Sequence, residues 1–95
     1  LITVREFAYS ARFAADLKSA PADVQSAVKE ALRKLQTNPL AKSLRLHPLK
    51  GMPKPAIWKI DVFANKSWQI SFEIVGDRAE LKRLGTHKSI DRDPR

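Results

Sequence analysis

The 95-residue chain contains no cysteine. Disulfide frameworks, thiolate zinc sites, iron–sulfur clusters and cysteine nucleophiles are thereby excluded, and core packing alone must hold the fold. Apolar runs are short, none approaching the ~18 residues that a membrane span requires. The opening Leu1-Ile2-Thr3-Val4-Arg5 lacks the basic-then-apolar layout of a signal peptide. The cytoplasm is the expected address, with no membrane contact. Glycine is scarce, at three residues, and none lies in a phosphate-cradling or dinucleotide-binding loop; no serine sits in a nucleophile elbow. Only two histidines occur, without helix-borne metal-ligand spacing to nearby acids, so neither a metal nor a cofactor is expected.

What the chain has in excess is positive charge: 18 Lys+Arg against 10 Asp+Glu, a net +8. That balance by itself predicts a polyanionic partner, which could be nucleic acid, an acidic protein or an anionic membrane. The excess is uneven. Residues 1–41 hold six basic and four acidic residues, whereas residues 42–95 hold twelve and six. An anion site is therefore expected in the second half.

The apolar pattern predicts one domain over residues 1–95. Ile2 and Val4 alternate with polar neighbours, predicting a strand over 1–7. Tyr9, Phe13 and Leu17 recur at helical spacing. A second helix starts around Pro21, placed in its first turn, with Val24, Ala27, Val28, Ala31, Leu32 and Leu35 on one face and Asn38-Pro39 as its stop. Beyond residue 42 the period changes to two. Leu44, Leu46 and Leu49 predict a strand that breaks at Pro48, followed by a stiff basic loop over 50–55. Trp58, Ile60 and Val62, then Trp68, Ile70, Phe72 and Ile74, predict two half-buried strands whose tryptophans pack in the core. Gly76-Asp77 predicts a two-residue turn into a strand from Arg78 to about Gly85. In that last strand Leu81 shares a phase with Arg83 and Leu84 with Lys82, which reads as one apolar and one polar end. The tail from Lys88 reads as frayed. The expected fold is α+β: β-α-α-β-β-β-β, with two N-terminal helices packed on an antiparallel sheet in two layers.

His47 and His87 both fall at predicted strand ends in the basic half. Cleaving RNA without a metal needs a base for the ribose 2′-OH, an acid for the leaving 5′ oxygen, and cations for the charge gathering on phosphorus. Histidine, with an unperturbed pKa of about 6.5, suits either proton-transfer role. Lys50, Lys54, Lys59, Arg83, Lys88 and Arg92 are the cations available around the two histidines. Lys42 and Lys66 read instead as solubilising surface. Arg83 is unusual because a charge inside an apolar strand requires a polar cleft or a partner.

Three segments taken together resemble the RelE/ParE superfamily of type II toxins, in particular the RelE branch with its YafQ-type mRNA interferases. They are Leu35-Gln36-Thr37-Asn38-Pro39 closing the second helix, Leu46-His47-Pro48-Leu49-Lys50-Gly51, and the strand end Arg83-Leu84-Gly85-Thr86-His87. The resemblance covers nearly the whole chain. It implies a RelE-like fold and a metal-independent endoribonuclease that cuts mRNA on the ribosome, in contact with 16S rRNA. A cognate acidic antitoxin would neutralise it. His47 and His87 match the paired histidines of that site, with His47 placed as base and His87 as acid, and Arg83 matches a basic position that stabilises the transition state. Three departures stand out. A further histidine of the pattern is replaced around Trp58-Lys59-Ile60-Asp61, where Lys59 and Asp61 are available as RNA-contacting substitutes. Ser67 stands for an aspartate, and Asp91 for an aromatic residue, where a carboxylate would repel phosphate. The alternatives are a ParE-like gyrase-poisoning toxin and a non-catalytic member of the same fold.

Overall fold

The computed structural model describes residues 2–51 and 55–95. The elements are β1 (Glu6–Tyr9), α1 (Ala11–Ser19), α2 (Ala22–Thr37), a 3-10 turn (Lys42–Leu44), β2 (His47–Pro48), β3 (Trp58–Asp61), β4 (Trp68–Val75), β5 (Arg78–Thr86) and α3 (His87–Arg92). The expected α+β order is present, with a third helix added at its end. The strands form one sheet in the order β1-β5-β4-β3-β2, antiparallel except for the parallel β1–β5 pair.

One face of the sheet is covered by α1 and α2. Phe13 of α1 and Val24, Val28, Ala31, Leu32 and Leu35 of α2 meet Ile60, Ile70, Phe72, Ala79, Leu81 and Leu84 in a continuous core. Ser10 starts α1 by accepting from Phe13 N–H at 3.0 Å and donating to the Lys82 carbonyl at 3.0 Å, which fastens the helix start to β5. Trp58 and Trp68 pack against this core, as their phase predicts.

The first strand begins later than its alternation predicts. Val4 is buried, but the ladder runs only from Glu6, paired with Arg78, to Tyr9, paired with Leu81. Its start is set by the partner strand, which itself begins only after the Gly76-Asp77 turn. Tyr9 accordingly ends β1 instead of opening α1, and Pro21 is the N-cap of α2, one place before its first turn. Leu44 belongs to the 3-10 turn, and β2 is shortened to His47–Pro48, ending at the proline as expected. Proline is tolerated there because β2 is the outer strand of the sheet.

A β-bulge explains the mixed phase of the last strand. Phe72 pairs with Leu81 while the neighbouring Ser71 pairs with Arg83, so Lys82 is the extra residue. Leu81 and Leu84 can then both point into the core, and Arg83 is turned to the opposite face. The apolar and polar residues of β5 are separated by face, not by end.

The tail is ordered, contrary to the fraying expected of it. Thr86 caps α3 through Ser89 N–H at 3.3 Å, and Ile90 is fully buried. Gly85 admits this helix: a Cβ there would lie 3.2 Å from Ser89 Oγ. Beyond α3, Ser71 Oγ donates to the Pro94 carbonyl at 2.6 Å, and Arg95 reaches Glu73 at 3.1 Å. These anchors are polar and come from residues more than twenty positions away, so no local apolar pattern announces them. No helix is long and apolar enough to cross a membrane among the described residues.

Candidate active site

The sheet face opposite α1 and α2 carries a row of polar side chains across four strands. His47 pairs with Lys59, Lys59 with Ser71, and Ser71 with Arg83. Cross-strand partners present their side chains to the same face, so β2, β3, β4 and β5 each contribute one residue. The bulge makes this possible, since without it Arg83 would share the core face of Leu81. The tail follows the row, with Asp91 on Lys59, the Pro94 carbonyl on Ser71 and Asp93 on Arg83.

His47 is half-buried at the outer end. Its Nδ1 meets the Arg45 carbonyl. A carbonyl only accepts, so Nδ1 carries the proton and the neutral ring keeps its lone pair on Nε2. Arg45 adopts left-handed backbone angles (φ 47°, ψ 47°), an arrangement costly for a residue with a Cβ. Its guanidinium is held at Asp61, with Nε at 2.6 Å and Nη2 at 3.3 Å. The same contact raises the Arg45 pKa above its ordinary value, chiefly through the hydrogen bond to Asp61.

Asp61 is 2% exposed and also accepts from Gln69 Nε2 at 2.9 Å. It therefore faces Arg45 and Gln69 and braces the turn that presents His47. Asp61→Ala should lower stability by about 2 kcal/mol, because a buried amide loses its acceptor; Asp61→Asn, which keeps a carbonyl there, should lose less. Urea denaturation of the two variants checks this ordering.

Lys59 is also buried, its side chain 5% exposed, with Nζ 2.7 Å from Asp91 Oδ1. The other oxygen of Asp91 lies 3.2 Å from His87 Nδ1, one helical turn away on α3. The carboxylate expected to repel phosphate thus has its charge matched by Lys59. A cleft of about 390 Å³ is lined by His47, Pro48, Leu49, Lys50, Lys59 and Asp91. His47, Lys50 and Lys59 are thus brought together, with His87 joined to them through Asp91.

Arg83 stands apart from this cleft. Three interstrand steps of about 4.8 Å put its backbone roughly 14 Å from that of His47. Its Nε lies 2.7 Å from Asp16 Oδ2, and Nη1 donates to the Asp93 carbonyl at 3.1 Å. Asp16 also accepts from Leu84 N–H at 3.0 Å, where β5 has no strand partner beyond Tyr9. Asp93 is held in turn by Arg12 at 2.8 Å, and that hydrogen bond keeps its carboxyl below the usual range. Lys88 and Arg92 are exposed on α3, and Lys54 lies outside the described residues.

Asp16 and Asp91 were among the participants not visible as such in the sequence. Asp16 is 67 residues from Arg83, and nothing local connects them. Asp91 as a partner of His87 had a signal in its i, i+4 spacing, readable only once residues 87–92 are known to be helical. Among the described residues no group of three His, Asp or Glu side chains is placed to hold a metal ion.

No protein-family model matches the sequence, and no curated protein matches it. Solved structures do. A chain of the E. coli DinJ–YafQ toxin–antitoxin complex superposes with a TM-score of 0.72 at 23% identity, over 90% of this chain and 96% of that one. A chain of the RelB–RelE antitoxin–toxin complex from Methanococcus jannaschii gives 0.67 at 26% identity, over 87% and 93%. The YoeB/ParE toxin from Agrobacterium tumefaciens gives 0.68 at 18% identity, over 87% and 99%.

Proposed function

We propose that this chain, whose fold is that of the RelE/ParE toxins, is the toxin of a toxin–antitoxin pair and a metal-independent endoribonuclease acting on mRNA at the ribosome. The observation that carries the reading is the cleft on the polar sheet face, where His47, Lys50 and Lys59 converge beside the Asp91–His87 pair. His47 Nε2 takes the ribose 2′-OH proton. The 2′ oxygen forms a bond to phosphorus as the bond to the 5′ oxygen breaks, and His87, acting as the imidazolium with a proton on each ring nitrogen, gives its Nε2 proton to that leaving oxygen. The products are a 2′,3′-cyclic phosphate and a free 5′-OH, with no co-reactant needed.

Lys50 is exposed at the cleft and supplies charge to the phosphate directly, while Lys88 and Arg92, exposed on α3, are further cations for RNA. Arg83 can join only by exchanging Asp93 for phosphate, since its guanidinium is already shared with Asp16 and Asp93. The same cations suit an acidic antitoxin segment, in keeping with the antitoxin complexes of the structural neighbours.

Primer extension on a model mRNA, translated with the chain present, tests the reading. Cuts within the translated frame are expected. A DNA-damage response without mRNA fragments would favour the gyrase-poisoning alternative, and neither effect would leave a non-catalytic binding module.

A further inference from the structure

We propose that Asp91 is a positioning residue for His87: clamped by the buried Lys59, its carboxylate holds the ring with the proton on Nδ1 and leaves Nε2 free to exchange a proton. The catalytic consequence rests on the nuclease reading above; the geometry does not. The two oxygens of Asp91 are divided between two partners, Oδ1 to Lys59 Nζ at 2.7 Å and Oδ2 to His87 Nδ1 at 3.2 Å. A carboxylate oxygen facing Nδ1 can only accept, which fixes the tautomer of the neutral ring. Among the described residues nothing bonds Nε2.

An exposed histidine–aspartate pair on a short helix would by itself hold little, because both side chains remain free to move in water. Here the far end of the pair is not free. Lys59 lies on a central strand with its side chain 5% exposed, and a desolvated ammonium requires a carboxylate partner. The sheet therefore dictates where Asp91 points, and Asp91 dictates where the imidazole points. The helix carrying both is itself fixed by buried Ile90, by the close packing of Ser89 on Gly85, and by the bond from Asp93 N–H to the Ser89 carbonyl at 3.0 Å. The other charged or titratable groups lining the cleft with Asp91 are His47 of β2, Lys50 beyond it and Lys59 of β3.

A carboxylate on Lys59 could instead act as a plug that denies the ammonium to phosphate. The two roles predict opposite signs for the same substitution. The test uses the full chain and its D91A and D91N variants, with the His87 tautomer read from long-range proton–nitrogen NMR spectra and mRNA cleavage read by primer extension. In the parent chain Nδ1–H should dominate the neutral ring. In D91A that preference should disappear, and cleavage should fall by about tenfold to a hundredfold, the usual cost of losing an outer hydrogen-bond partner. D91N has one acceptor for two donors: its carbonyl oxygen stays with the Lys59 ammonium and its amide nitrogen faces His87 Nδ1, so the buried lysine keeps a partner while the Nδ1–H preference is lost and cleavage falls as in D91A. Retention of Nδ1–H in D91A overturns the proposal whatever the cleavage assay gives, and so does cleavage that rises in D91A. A parent chain that leaves mRNA uncut overturns the nuclease reading alone, and the tautomer spectra then decide the placement of His87 by themselves.

Discussion

Substitution of His47 by alanine should reduce mRNA cleavage by about 10²- to 10⁴-fold, the range over which general acid–base groups contribute. The fold should hardly notice. His47 stands on a two-residue strand at the edge of the sheet, half-buried, and among the described residues its one side-chain bond is to the Arg45 carbonyl. That carbonyl is exposed to solvent once the ring is gone, so water replaces the lost donor. Circular dichroism and the melting temperature should match those of the parent, which separates lost chemistry from lost structure. His47→Gln, which can donate to the same carbonyl but cannot take a proton from the 2′-OH, should be equally inactive. Cleavage by either variant at the parental rate would remove His47 from the mechanism.

The second large effect concerns the core. Phe72 is fully buried on β4, paired with Trp58 on one side and Leu81 on the other. Phe72→Ala should cost about 3–5 kcal/mol through lost burial and the cavity left behind. Native domains of this kind have only about 5–15 kcal/mol in total. A loss of 3 kcal/mol lowers the melting temperature of a chain this size by roughly 12 °C or more. The position is also the register pivot of the sheet, since the β-bulge lies between Ser71 and Phe72. A slip of the bulge to refill the cavity would turn Arg83 back toward the core, so relaxation there is obstructed. A melting temperature within a few degrees of the parent would show that the sheet can repack after all.

The elements that could be read from the chain are those whose apolar periodicity is strong. The face of α2 from Val24 to Leu35 and the alternation of Trp68, Ile70, Phe72 and Ile74 have the same meaning in any tertiary setting, because a stripe of apolar side chains must be covered. The Gly76-Asp77 turn was equally legible, since Gly76 supplies the positive φ, 63°, that the hairpin needs. Elements bound by partners were not. β1 begins where β5 offers it a ladder, β2 is an edge strand of two residues, and α3 with its tail is held by Ser71, Glu73, Gly85 and Arg83 from across the molecule.

The candidate site divides in the same way. The residue types and their concentration in the second half were present in the sequence: two histidines, an excess of cations, and a charge inside a strand that required a partner. Their grouping was not. A single extra residue, Lys82, turns Arg83 onto the face of Lys59 and His47, and Asp16, 67 positions away, then draws its guanidinium aside. Asp61 and Lys59, read as contacts for RNA, are buried and engaged with Arg45, Gln69 and Asp91.

By itself, then, the sequence determined the two-layer fold, the core and the chemical repertoire, because burial of periodic apolar faces is a local instruction. Only the tertiary structure decided which charged groups face each other. Pairing of charges depends on strand register and on chain segments folding back from far away, and neither leaves a periodic trace.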